Sequence, residues 1–130
     1  MTCCLLVASL LLSPADAADP EQVSIQKLLS LQASSYQQHL VLIEGAVSAL
    51  QAELPLAGRC LLYGRASFVL DDETGSLPVM VLGSCNPGAA ETLPKDGDRV
   101  RVTGIVQVMK TEAPRNVRVR ATQIQILESH

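Results

Sequence analysis

The chain is almost without aromatic side chains: among 130 residues there is no tryptophan, and Tyr36, Tyr63 and Phe68 make up the whole set. A core must therefore be built from Val, Leu, Ile and Ala, and a function that relies on a row of stacked rings is poorly supplied. Histidine is nearly as scarce, with only His39 and the terminal His130. A catalytic triad or a histidine-based zinc site has little to draw on. No cysteine pair has the C-x-x-C spacing of a redox or zinc motif. No apolar run approaches the roughly 20 residues of a membrane-spanning helix, so no stable membrane span is expected in the mature chain. Positive charge is not in excess either, the formal net charge being −3.

What is present begins with a short apolar run, Leu5 to Leu12, followed by Ser13-Pro14 and the small-x-small sequence Ala15-Asp16-Ala17. This is the pattern of a secretory signal peptide over residues 1–17, which places the mature protein in the periplasm or outside the cell. No Lys or Arg precedes the run, as a leader normally provides, so a buried N-terminal strand or helix is the alternative. Cleavage after Ala17 removes one charged residue, Asp16, and leaves a formal charge of −2. That charge is unevenly spread. Lys95, Arg99, Arg101, Lys110, Arg115, Arg118 and Arg120 face only Asp96, Asp98 and Glu112 between residues 95 and 120, which makes the C-terminal third locally basic.

The remaining length suits one domain. Asp19-Pro20-Glu21-Gln22 carries an acidic cap, a first-turn proline and a Gln three residues after the cap, and Val23, Ile25, Leu28, Leu29 and Leu31 follow with helical spacing. The pattern predicts a helix over about 20–33 within an N-terminal helix and linker, 18–39. From residue 40 the period becomes two. Val41, Ile43, Gly45 and Val47 form a first strand, 62–70 a second, and 77–82 a third, with Asp71-Asp72-Glu73-Thr74-Gly75 as the turn between the last two. Asn86 to Asp98 reads as a connection with one helical turn. Val100 to Val108 repeats the first strand's pattern, again with a central glycine, Gly104. A fifth strand runs from Val117 to Leu127, and its inward parity passes from Val117 and Val119 to Ile124 and Ile126, which requires a bulge near Ala121.

The fold class is all-β: a five-stranded Greek-key barrel over 40–128, with a short N-terminal helix and a short helical segment between strands three and four. Phe68-x-Leu70-x-Asp72-x-Thr74-Gly75 followed by Leu77-x-Val79 resembles the strand-two to strand-three hairpin of OB-fold nucleic-acid-binding domains. Gly97-Asp98-Arg99-Val100-Arg101-Val102-Thr103-Gly104 is similar to the start of their fourth strand. Together with the leader, the chain also resembles the small periplasmic OB-fold proteins of bacteria.

Cys60 and Cys85 are centred on the Asp72/Glu73 boundary, so a hairpin folded there sets them nearly opposite each other with matching parity. In an oxidising compartment a disulfide is expected, and in a reducing one two free thiols. Asp71, Asp72 and Glu73 could act as paired carboxylates or bind a hard cation, but a turn favours these residues for backbone reasons. Ser67 lies within a strand, away from any nucleophile elbow, and the glycines form no phosphate loop. No catalytic residue, metal or cofactor is assigned, and the chain reads as a binding module.

If Phe68 and Leu70 face inward, Arg65, Ser67 and Val69 face outward beside Pro78, Met80 and Leu82. The resemblance makes this face the ligand groove. Lys110 and Arg115 end the loop between strands four and five, and Arg118 and Arg120 share the outward parity of strand five, so a basic rim is expected beside an apolar saddle. A protein or other envelope component is the first expected partner, and single-stranded nucleic acid or another polyanion the second. The arginines also suit a plain solvated surface.

Overall fold

The computed structural model describes residues 19–30, 32–110 and 116–129, without the Lys110 side chain. The expected leader, Leu31, and the loop from Thr111 to Arg115 lie outside the described residues. The strands are β1 (Glu21–Gln22), β2 (Leu40–Ala52), β3 (Ala66–Asp71), β4 (Ser76–Val81), β5 (Arg99–Lys110) and β6 (Asn116–Glu128). The helix α1 spans Ile25–Leu29, and 3-10 segments span Ala33–Tyr36 and Pro87–Thr92. Strands β2 to β6 close on themselves in the order β2-β3-β4-β6-β5 and back to β2. All neighbours are antiparallel except β4 and β6. This is the five-stranded Greek-key barrel that the strand pattern predicts, with the OB arrangement that the resemblance implies, and β1 added as a two-residue parallel partner of β2.

The two strand glycines make closure possible. Strand β2 pairs with β5 from Leu40 to Ala46 and with β3 from Ala46 onward, so it must bend at Gly45. A β-carbon there would lie 2.5 Å from the carbonyl oxygen of Asp71, and at Gly104 one would lie 2.6 Å from that of Arg120. The bulge expected near Ala121 is at Thr122: Thr103 pairs with Gln123 and Gly104 with Ala121, which leaves Thr122 unopposed. Its hydroxyl donates to the carbonyl of Thr103 at 3.1 Å.

The parity flip brings Ile124 against the core, but Ile126 is 43% exposed, contrary to expectation. Strand β4 covers β6 only at Val119–Ala121, so the distal half of β6 has β5 as its one strand neighbour among the described residues. A second bulge was not legible. Between Ser48 and Gln51 the β2/β3 register shifts, with Ala49 at φ +53°, and Leu50 thereby packs against the core. The Leu50 N–H donates to Asp96 Oδ1 at 2.8 Å.

The N-terminal segment departs most from the expected helix over 20–33. Ser24, and not Asp19, is the cap, its hydroxyl accepting the Lys27 N–H at 3.3 Å. Glu21 and Gln22 pair with Val41 and Leu42 instead of entering a helix. The cause is tertiary: Val23, Ile25, Leu28, Ala33 and Tyr36 are all buried in the barrel's own core cluster, and burying Ile25 or Leu28 contributes about 2 kcal/mol each. Val41, Val79, Val100, Val102, Val106 and Val119, with Phe68 as the one buried phenylalanine, fill the barrel. Asp98 is the buried charged side chain among the described residues. Its Oδ2 accepts the Lys95 N–H at 2.9 Å and its carbonyl accepts that of Val47 at 2.9 Å, which fastens the start of β5 to β2.

Cys60 and Cys85 form a disulfide, with Cα atoms 5.7 Å apart. Their setting differs from the symmetric hairpin. Asp71 pairs with Ser76 and Ala66 with Val81, so the turn centres on Glu73/Thr74 and the register lies two residues from the one that would oppose the cysteines. The shift preserves their parity. Both cysteines lie beyond the regular strands, next to the bridge between Tyr63 and Ser84.

Candidate binding face

Alternation along β3 buries Ala66, Phe68 and Leu70 and leaves Ser67 and Val69 half-exposed on the outer surface. On β4 it buries Leu77 and Val79, leaving Pro78 exposed and Met80 half-exposed. Register then assembles a transverse row. Gln51 lies opposite Ser67, Ser67 opposite Met80, Met80 opposite Arg120, and Arg120 opposite Ile105. Val69 pairs with Pro78 in the adjacent row. Ser67, Val69, Met80 and Arg120 are thus brought together on one continuous face, while Leu82 lies just past β4, exposed.

The basic rim is less free than its sequence implies. Arg65 Nη2 lies 2.8 Å from Glu53 Oε2, and Nη1 donates to the Leu54 carbonyl at 3.2 Å. Arg118 donates to Gln107 Oε1 at 2.7 Å, across its own register pair. Arg120 has no ion pair among the described residues. Lys110 ends β5 opposite Asn116, with its side chain undescribed, and Arg115 lies outside the described residues. Tyr63 is half-buried and held by the Ser84 backbone, and no ring stands in the outward row of β3 and β4.

Two features of this surface were missed from sequence. Arg101 binds Glu44 through Nε at 2.8 Å and Nη2 at 2.7 Å, which cross-links the outer faces of β5 and β2. A signal existed in the outward parity of both residues, but strand pairing was needed to join them. A cavity of about 300 Å³ opens where β4 leaves the barrel, lined by Val81, Leu82, Gly83, Ala89, Thr122 and Ile124 among others. It depends on the Thr122 bulge and on the 3-10 segment at Pro87–Thr92.

The acidic cluster performs turn chemistry. Asp71 Oδ1 accepts the Glu73 N–H at 2.8 Å. Asp72 Oδ1 accepts from Thr74 N at 2.9 Å, Thr74 Oγ1 at 2.6 Å and Gly75 N at 3.2 Å. Asp72 Oδ2 takes the Ile25 N–H at the start of α1, at 2.8 Å. Burial, the largest single influence, pushes the Asp72 carboxyl up, but the hydrogen bonds from Thr74, Ile25 and Gly75 together outweigh it and hold the group below its ordinary value. A carboxylate so occupied is a structural anchor. Among the described residues no cluster of three or more His, Cys, Asp or Glu could hold a metal ion, and no helix is long and apolar enough to cross a membrane.

Comparison with solved structures finds the same fold in other chains. Aspartyl-tRNA synthetase from Entamoeba histolytica aligns over 90% of this chain and 23% of its own, with 14% identity and a TM-score of 0.64. The second OB-fold domain of replication protein A from Methanococcus maripaludis aligns over 84% of this chain and 97% of its own, with 19% identity and a TM-score of 0.59. Asparaginyl-tRNA synthetase from Pyrococcus horikoshii aligns over 85% and 23%, with 16% identity and a TM-score of 0.57. This chain spans under a quarter of either synthetase, and at these identities the likeness is one of fold. No curated protein matches in sequence. The family model for the OB-fold nucleic acid binding domain of the tRNA anti-codon type matches residues 41–127, and the chain belongs to that family.

Proposed function

We propose that this chain is an exported, non-catalytic OB-fold binding domain that presents the outer face of β3 and β4 to a polypeptide partner in the periplasm or outside the cell. The row Ser67–Met80–Arg120 carries the reading: it is centred on an apolar side chain and has no ring on which a base could stack. Val69 and Leu82 extend the apolar surface, and Arg65, which would have served a polyanion, is ion-paired to Glu53. The leader pattern at 1–17 supports export, as does the disulfide, since such bonds persist in oxidising compartments. The test is chemical cross-linking in a periplasmic extract with Met80→Glu and Leu82→Glu variants. Cross-linked partner should disappear at unchanged melting temperature. Undiminished cross-linking would refute the reading. Mass spectrometry of the exported chain should find an N-terminus at Ala18.

Family membership favours a second reading, weak and sequence-tolerant binding of single-stranded nucleic acid. Arg120 supports it, lying beside Met80 in the row and without an ion pair among the described residues. Such binding should weaken steeply as salt rises and fall further in Arg120→Ala. Lack of any anisotropy change with a labelled oligonucleotide at low salt excludes it.

A further inference from the structure

Strands β2 and β3 do not stop at the barrel rim. Their register, Gln51 with Ser67 and Ala52 with Ala66, continues through Glu53 N to the Arg65 carbonyl at 2.8 Å and through the reciprocal bonds of Leu56 and Leu62 at 3.3 and 2.9 Å. The result is a hairpin arm with its tip at 57–61. A third segment braces it, since Tyr63 and Ser84 exchange backbone bonds at 2.7 and 2.9 Å and the disulfide ties Cys60 at the tip to Cys85. The arm is cross-linked, but its leucines are in the open: Leu54 is 85% exposed, Leu56 49% and Leu61 46%. Leu54 and Leu56 continue the inward parity of Leu50 beyond the point where a barrel interior exists to receive them.

We infer that this arm is a membrane-surface anchor, its leucines entering the interfacial layer of an anionic bilayer while Arg59 meets the lipid phosphates. Three observations favour a bilayer over a protein groove. The leucines lie on a hairpin arm that extends past the β2/β3 ladder to a tip at 57–61. Its leucines fall on both sides of the ribbon, Leu61 being of opposite parity to Leu62, the partner of Leu56; a rigid partner covers one side, whereas lipid surrounds both. The charge is also of the right sign, because Glu53 is neutralised by Arg65 while Arg59 is exposed without a partner among the described residues. The inference is independent of what the β3/β4 face binds.

The experiment is co-sedimentation of the chain starting at Ala18, which contains every core residue among the described ones and omits the apolar run Leu5 to Leu12, with vesicles of phosphatidylethanolamine and phosphatidylglycerol. The chain should pellet with these vesicles and less with phosphatidylcholine alone. Leu54→Ser/Leu56→Ser should weaken partitioning about tenfold or more, and Arg59→Ala should abolish the preference for anionic lipid. Circular dichroism of each variant should match the parent. Absence of pelleting, or equal pelleting of the double serine variant, would overturn the inference. So would a dimer in analytical ultracentrifugation that the serine variant dissociates, since the arm's partner is then a second copy of the chain.

Discussion

Asp72 caps the first helix from the β3/β4 turn, its Oδ2 accepting the Ile25 N–H at 2.8 Å across 47 positions of sequence. Beside it, Thr74 Oγ1 accepts the Gln26 N–H at 3.0 Å. The β3/β4 turn therefore satisfies two N–H groups that a five-residue helix cannot satisfy itself.

Replacing Asp72 by alanine should lower unfolding free energy by about 1–2 kcal/mol at neutral pH, in the range of a lost cap. The pH dependence follows from the sign of the shift. A folded-state value held below the ordinary 3.8 gives stability that is fully present above that ordinary value and is lost as pH falls through the folded one. Urea melts should show the gap between parent and variant constant near neutrality and shrinking below about pH 4. A gap that widened on acidification would contradict this assignment.

The bend glycines should tolerate nothing larger. Gly45→Ala and Gly104→Ala each drive a methyl into backbone, at 2.5 and 2.6 Å, and should destabilise by about 1–3 kcal/mol. Gly58 is the internal control. Its added β-carbon meets nothing nearer than 3.6 Å, so Gly58→Ala should be neutral or slightly stabilising in the same thermal melts.

The disulfide closes a separation of 25 residues, for which loop-closure entropy gives about 3 kcal/mol. Denaturant midpoints of the oxidised parent should therefore exceed those of Cys60→Ser/Cys85→Ser, and reductant should move only the parent. Coincident midpoints would show that the hydrogen-bonded arm holds itself.

Glu53 determines how much positive charge the face presents. Glu53→Gln should cost under about 1 kcal/mol of stability, as half-exposed ion pairs do. Under the nucleic-acid reading it should also raise oligonucleotide affinity and steepen the salt dependence by about 0.7 in log-log slope for each phosphate newly contacted. Titrations at several ionic strengths read both effects.

How much was legible depends on how local the cause is. Strand glycines at 45 and 104, the Asp72-to-Gly75 turn and the parity change near Ala121 each signal through neighbours a few residues away, and the barrel followed from them. The helix boundary did not, because a local cap at Asp19 competed with pairing of Glu21 and Gln22 to β2 and with the remote cap from Asp72. The outward residues Ser67, Val69, Met80 and Arg120 were identifiable by parity alone, whereas their row came from register between strands distant in sequence.

Sequence alone thus determined the succession of strands along the chain, the barrel class and the poverty of aromatic rings, all consequences of side-chain period, turn chemistry and composition; it offered Cys60 and Cys85 as a pair without fixing their register. Tertiary structure decided which guanidinium groups are engaged within the chain. Arg65 and Arg118 look alike in sequence to Arg120, but Glu53 and Gln107 are held against the first two by strand pairing, and only the assembled sheet sets those groups within hydrogen-bonding distance.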